Sequence, residues 1–83
     1  TMNKSETAKA IAIIHEVYPH FMDGRKPAAT LEIWTKLFAS ETYQEVEKAI
    51  FAFISADTRG YPPNIGQIKE KMYDDKPYIN WVG

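Results

Sequence analysis

Hydrophobic residues recur at three- and four-residue intervals along this chain, the spacing of an amphipathic α-helix. The first such segment predicts a helix over residues 5–18, and Tyr18-Pro19 ends it. Its predicted inward face consists of Ala8, Ile11, Ile14, His15 and Tyr18. Ile13 and Val17 fall on the other side, so this helix is apolar over more than an ordinary surface stripe. It is therefore expected to lie centrally or to meet a partner.

The next two helices are predicted by their apolar stripes and caps. A helix over residues 30–39 has Thr30 or a neighbour as its N-cap, and its stripe is Leu31, Trp34, Leu37 and Phe38. A third helix over residues 43–57 starts with a capping box formed by Thr42 and Glu45. Its inward face is Tyr43, Val46, Ala49, Ile50, Phe53 and Ile54. We expect this helix to pack against both earlier helices and to form the spine of the core.

A break and a fourth helix follow in the stretch RGYPPNIGQIKEKM. Pro62 and Pro63 bias the residues before them toward extended backbone, so no helix can run through. Asn64 is a favourable N-cap, and Gln67 completes a pair resembling a capping box. Ile65, Ile68 and Met72 then form the stripe of a helix predicted over residues 65–73. Residues 74–83 are predicted to be an irregular tail.

The pattern as a whole predicts an all-α protein. No segment alternates with period two for long enough to form a strand. The 83 residues, 45% hydrophobic and 25% charged, fit one globular domain over residues 1–83. The expected architecture is a small bundle of about four short helices with an irregular C-terminal tail.

Composition limits where the protein works and what it binds. The chain has no cysteine, which excludes disulfides and thiolate metal sites. Its longest apolar run, residues 10–14, is too short to span a bilayer, and we expect a cytoplasmic protein with no membrane contact. A formal net charge of −1 provides no overall attraction to nucleic acid.

No residue pattern indicates catalysis. His15 and His20, with Glu16 and Asp23 nearby, do not form a recognisable metal spacing. The serines lack an elbow sequence, and no glycine-rich loop is present to hold phosphate. We therefore expect no enzyme, no metal, no cofactor and no small-molecule substrate. Trp34 could serve as a stacking platform, but its place in an apolar stripe favours burial in the core.

The remaining candidates concern macromolecular contact. Four apolar residues are hard to bury in a four-helix arrangement and either cover seams between helices or form a protein-binding face: Ile13, Val17, Ile33 and Phe51. Lys69 and Lys71, with Arg59, could form a basic edge near the fourth helix, although the interspersed acids favour a solvated face over a phosphate track. The partner-binding residues predicted are Phe51, Tyr61, Lys69, Lys71, Tyr78 and Trp81.

Several of these blocks, taken in order, resemble the phage replicative-helicase loader and inhibitor family. The blocks are Tyr18-Pro19, Trp34 with Leu37, Tyr43 with Val46 and Ala49, and the run from Pro62 to Ile68. The resemblance covers nearly all of residues 5 to 73. It implies a small helical phage or prophage protein that binds the host-type ring-shaped DNA helicase, restrains it in solution and helps deliver it to an initiator bound at the origin.

The resemblance also implies an adaptor that uses no cofactor of its own. In the family, helicase contact is associated with a flexible region after the folded domain. Of two candidate surfaces, we favour the edge of the fourth helix and its aromatic tail over the surplus apolar residues of the first three helices. Two other functions remain open from the sequence. They are a small helical DNA-binding domain and a structural phage protein that self-associates through the first helix.

Overall fold

The computed structural model describes residues 1–74, and within them the all-α prediction is confirmed. Four helices follow one another, with no strand in this part of the chain: α1 (Lys4–Val17), α2 (Pro27–Leu37), α3 (Tyr43–Ala56) and α4 (Ile65–Asp74). The predicted tail lies outside the described residues, except that Asp74 belongs to α4. Tyr78 and Trp81 lie outside them as well.

Both of the predicted capping boxes form. Thr42 and Glu45 exchange side-chain to backbone hydrogen bonds of 3.2 and 3.0 Å at the start of α3. Asn64 and Gln67 do the same at 2.8 and 3.0 Å before α4. Each pair satisfies two backbone N–H groups that a helix start leaves without partners, which explains why both helices begin where their sequences predict.

The prediction for the start of α2 is wrong by three residues. The helix begins at Pro27, and Lys26 is the N-cap residue without a side-chain cap bond. A proline fits the first helical position because its fixed φ is already helical and its missing N–H needs no partner there. Thr30 is therefore inside the helix, where it is buried and donates its backbone N–H to the carbonyl of Lys26.

The start of α1 carries a third capping box, between Asn3 and Glu6. The buried face of this helix is also rotated from the predicted one, because Ala8 and His15 are exposed whereas Thr7 and Ala10 are fully buried. The Thr7 hydroxyl is satisfied there by the carbonyl of Asn3 and by Thr35 of α2, at 3.0 and 2.9 Å. A count of apolar positions alone cannot detect a buried threonine.

The helices pack in a chain of neighbours in which α1 contacts α2 and α3, and α3 contacts α4. The expectation that α3 is the spine is confirmed by its buried residues Val46, Ala49, Ile50 and Phe53. Its main neighbours are α1 and α4, so the expected packing against α2 is not one of the principal contacts. The prediction of an inward Leu37 is wrong, since this side chain is 45% exposed.

Trp34 is a core residue, as predicted, with 4% of its surface exposed. Its ring meets Phe21 and Phe38 edge-on, with ring centres 5.5 and 5.8 Å apart. Edge-to-face pairs of this kind add to the stabilisation from buried area. The tryptophan thus joins α2 to the connection that precedes it.

Helices α1 and α3 run parallel, side by side. Their C-terminal ends are joined by a hydrogen bond between Tyr18 and Asp57. At the other ends, the pKa of Tyr43 is raised first by burial and then by the nearby charges of Glu47 and Glu6. Because Glu6 is in the first turn of α1, the two helix starts are neighbours too.

Of the four surplus apolar residues, only Ile13 is partly buried against the core. Val17, Ile33 and Phe51 are 46%, 54% and 49% exposed. They belong to three different helices. None of the helices in the described part of the chain has the length and apolarity needed to cross a membrane.

Candidate partner-binding surfaces

The connection between α3 and α4 is held by the carboxylate of Asp57. Its Oδ1 accepts the N–H of Arg59 at 3.2 Å, and its Oδ2 accepts the N–H of Gly60 at 3.0 Å and the hydroxyl of Tyr18 at 2.7 Å. Gly60 has φ +81°, a backbone conformation that glycine adopts without strain. The loop is therefore both tightly turned and attached to the end of α1.

This arrangement changes the acidity of both side chains. Burial, followed by the hydrogen bond to Asp57 and its charge, raises the pKa of Tyr18 to about 12. The same hydrogen bond from Tyr18, helped by the N–H groups of Arg59 and Gly60, lowers the pKa of Asp57 below its usual 3.8. At neutral pH the pair is thus a neutral phenol that donates to a carboxylate.

A cleft of about 420 Å³ lies beside this bond, between the end of α1 and the connection. Val17 and Pro19 line one wall, and Ile54, Thr58 and Pro62 line the other. The sequence predicts that the run of Pro62, Pro63 and Asn64 is punctuation between helices. It has that role, and Pro62 in addition contributes a wall of the cleft.

The structure brings together two of the predicted partner-binding residues through Arg59. Lys71 and Arg59 line a shallow hollow of about 180 Å³ with Phe53 at the end of α3. The guanidinium carbon of Arg59 also lies 5.8 Å from the centre of the Tyr61 ring, which is 65% exposed. Tyr61, Arg59 and Lys71 thus form an aromatic and basic edge beside α4.

Lys69 is on a different side of α4 from Lys71. Its Nζ is 3.8 Å from Oε1 of Glu41 and 5.7 Å from the centre of the Phe38 ring, both near the end of α2. Residues two positions apart point in nearly opposite directions on a helix, which explains the separation. The basic edge predicted near α4 therefore contains Arg59 and Lys71 but not Lys69.

Phe51 belongs to another part of the surface. It is exposed on α3, three residues before Ile54, and Ile54 lines the cleft with Val17 of α1. Residues three apart share one face of a helix. Phe51 is thus on the side of α3 that borders α1, whereas Tyr61 and Lys71 are beside α4.

Sequence reasoning missed the Tyr18–Asp57 bond, which joins residues 39 positions apart. A local signal was present, because an aspartate followed within three residues by glycine is typical of a turn closed by the carboxylate. Nothing local indicated Tyr18 as the second donor. The hydroxyl is recognisable only after α1 and α3 are placed in parallel.

Histidine and carboxylate positions offer little chemistry. Nδ1 of His20 is 2.9 Å from Oδ2 of Asp23, and both side chains are largely exposed. Within residues 1–74, no three histidine, aspartate or glutamate side chains are grouped so as to hold a metal ion.

Comparison with known proteins gives one match. Residues 2–69 fit the sequence profile of a family described as the N-terminal domain of a phage helicase loader and inhibitor protein. The matched region includes α1, α2, α3 and the first half of α4, well over half of the 83 residues. No curated protein and no solved structure gives a significant match to the chain.

Proposed function

Because this chain belongs to the N-terminal domain family of phage helicase loaders and inhibitors, we propose that it binds and regulates a replicative DNA helicase. In this proposal it is a phage or prophage replication accessory protein that inhibits the helicase in solution and helps load it at the origin. The family match over residues 2–69 is the observation that carries the proposal. The family acts as a helicase-binding regulator rather than an enzyme.

Inhibition by such a protein needs no chemistry. If the adaptor binds one conformation of the helicase ring more tightly than the others, it shifts the population away from the working state. A hundredfold preference for the idle conformation corresponds to about 2.7 kcal/mol, within reach of a few buried side chains. Release at the origin then requires only that another protein compete for the adaptor or for the helicase.

We propose the edge formed by Tyr61, Arg59 and Lys71 as the folded part of the helicase contact. Tyrosine and arginine are the residue types that most often dominate the energy of protein interfaces. The proposed contact continues through the aromatic residues Tyr78 and Trp81. Phe51 and Lys69 remain proposed partner-binding residues on other parts of the surface.

A second partner is part of the proposal, since loading connects the helicase to an initiator protein at the origin. An adaptor needs a separate surface for each of its two partners. We place its action in the cytoplasm of the bacterial host, with no membrane contact, no direct nucleic-acid binding and no cofactor of its own.

Gel filtration of the chain with the replicative helicase of its host tests the proposal. The mixture should give a complex that contains both proteins, and unwinding by the helicase should slow. Separate elution together with unaffected unwinding would rule the proposal out. Measurable affinity for duplex DNA that falls steeply with salt would favour the DNA-binding alternative instead.

The contact surface is tested with a variant pair. Lys71→Glu changes the proposed edge, whereas Lys36→Glu changes an exposed lysine on α2, where Lys36 is 3.5 Å from Glu32. We expect Lys71→Glu to weaken the complex at least tenfold and Lys36→Glu to leave it within about threefold. Removal of the residues after Asp75 should also weaken binding. Equal effects of the two lysine variants would remove the proposed edge from the contact.

A further inference from the structure

An apolar strip crosses the outer boundary between α1 and α3. Ile13 and Val17 are four residues apart on α1, and Phe51 and Ile54 are three apart on α3, so each pair shares one helix face. Ile13 and Ile54 are partly buried against the core, whereas Val17 and Phe51 are 46% and 49% exposed. We call these four residues the α1/α3 face. Val17 and Ile54 also line the cleft at its end.

The shape of this face follows from the parallel arrangement of its two helices. The Tyr18–Asp57 bond holds their C-terminal ends together at 2.7 Å. Two adjacent helices leave a shallow furrow between them, and here its sides are aliphatic and aromatic. Helical peptides commonly bind such furrows through side chains at three- and four-residue spacing.

The charges around the face are predominantly negative. Carboxylates are contributed by Glu6 and Glu16 of α1, Glu47 of α3 and Asp57 at its end. Ammonium groups are contributed by Lys9, four residues before Ile13, and by Lys48, three residues before Phe51. Four acidic groups therefore face two basic ones, and Lys48 already has an interaction within the protein. This excess of carboxylates favours a cationic ligand.

We propose that the α1/α3 face binds a basic amphipathic helix of another protein, with its apolar side chains on Val17 and Phe51 and its lysines or arginines beside the surrounding carboxylates. A second copy of this chain is a poorer occupant, because a symmetric dimer would bring two acidic rims together. This inference goes beyond helicase regulation, since it concerns a different surface from the edge beside α4. The adaptor would then have separate sites for two partners.

The probe is a synthetic helical peptide with leucines at three- and four-residue spacing and lysines elsewhere. Its matched control has the same leucines and has glutamate in place of every lysine. Titration into isotopically labelled full chain, followed by backbone amide NMR, should show saturable shifts near residues 13–17 and 51–54 with the lysine peptide. The glutamate peptide should bind at least tenfold more weakly, and added salt should reduce the difference.

Matched variants locate the binding. Phe51→Ser should weaken the lysine peptide about tenfold, whereas Ile33→Ser, which replaces a similarly exposed residue on α2, should leave affinity within about twofold. Glu16→Lys, at an exposed position, should weaken the lysine peptide and not the glutamate peptide. Circular dichroism confirms that each variant is folded, and Glu16→Lys provides the test if Phe51→Ser is not.

Several results would overturn the proposal. They are shifts that do not saturate, equal affinity for the two peptides, or equal losses from Phe51→Ser and Ile33→Ser. A dimer of the isolated chain that Phe51→Ser dissolves would assign the face to self-association instead. Helicase binding is measured separately, so its failure leaves this test intact, and failure of the peptide leaves the helicase proposal intact.

Discussion

The hydroxyl of Tyr18 donates a 2.7 Å hydrogen bond to Oδ2 of Asp57, and this single contact joins the end of α1 to the loop after α3. The same carboxylate accepts the N–H groups of Arg59 and Gly60. The position of the loop therefore depends on α1. The basic and aromatic edge beside α4 inherits its geometry from this attachment, because Arg59 is part of both.

Replacement of Tyr18 by phenylalanine should lower the free energy of unfolding most strongly near neutral pH. The folded-state pKa of Asp57 is below 3.8, so its contribution is present above the unfolded pKa and is lost as pH falls through the folded value. The folded-state pKa of Tyr18 is about 12, so its contribution is present below pH 10.0 and is lost as pH rises toward 12.

Urea unfolding of the wild type and Tyr18→Phe over a pH series measures this dependence. The difference between the two proteins should be largest between about pH 5 and 9 and should shrink on both sides. Tyr61→Phe is the matched control, since Tyr61 is 65% exposed and its removal should show no such profile. A difference independent of pH would mean that the hydroxyl contributes by packing alone.

Replacement of Trp34 by alanine should cost about 3–5 kcal/mol, because the ring is 4% exposed and packs on Phe21 and Phe38. A loss of that size is comparable with the whole stability of a domain of this length. We expect the variant to lose its helical circular dichroism at room temperature. Ile33→Ala, its exposed neighbour, should change stability by no more than about 0.5 kcal/mol. Similar losses in both would contradict a core role for Trp34.

The sequence predicts those features of the fold that depend on nearby residues. Thr42 with Glu45 and Asn64 with Gln67 define helix starts within four residues, and both are recognisable locally. The start of α2 is harder to place because Thr30 has the chemistry of a cap, while its neighbours put it inside a helix opened by Pro27. The rotation of α1 is a tertiary effect, since two neighbouring helices bury Thr7 and Ala10 and leave Ala8 exposed.

Loss of the α4 cap should have a local effect. Asn64→Ala removes the side-chain acceptor for the N–H of Gln67 and should cost about 1 kcal/mol. Hydrogen exchange of the first amides of α4 should accelerate, whereas those of α3 should respond only through global stability. Asn3→Ala, at the equivalent position of α1, provides a comparison of similar cost. Unchanged exchange in α4 would show that the cap is not needed to start the helix.

The two glycines flanking Asn64 should respond oppositely to alanine. Gly60 has φ +81° and no neighbour within 4 Å of an added Cβ, so Gly60→Ala should destabilise by about 1–2 kcal/mol through backbone strain alone. Gly66 is in the first turn of α4, where an added Cβ makes an ordinary contact 3.4 Å from Oδ1 of Asn64. Gly66→Ala should be neutral or stabilising by up to about 1 kcal/mol. Thermal melts of the two variants check the prediction, and equal melting temperatures would contradict it.

The candidate site is only partly predictable from the sequence. Tyr61 and Lys71 are suggested by the aromatic and basic residues around the fourth helix, and the structure places both beside Arg59. Lys69 is close to Lys71 in sequence, whereas the helix turns it toward Glu41. The acidic border of the α1/α3 face requires knowledge that these two helices are parallel neighbours.

The rate of DNA unwinding by the host's replicative helicase, measured as the concentration of this chain is raised, tests the central claim most directly. Regulation by binding predicts a saturable fall in the rate, with half-inhibition at the concentration that half-saturates complex formation. Lys71→Glu should shift both curves together, and Lys36→Glu neither. An unwinding rate that stays constant at concentrations where the complex is fully formed would contradict the inhibitory role.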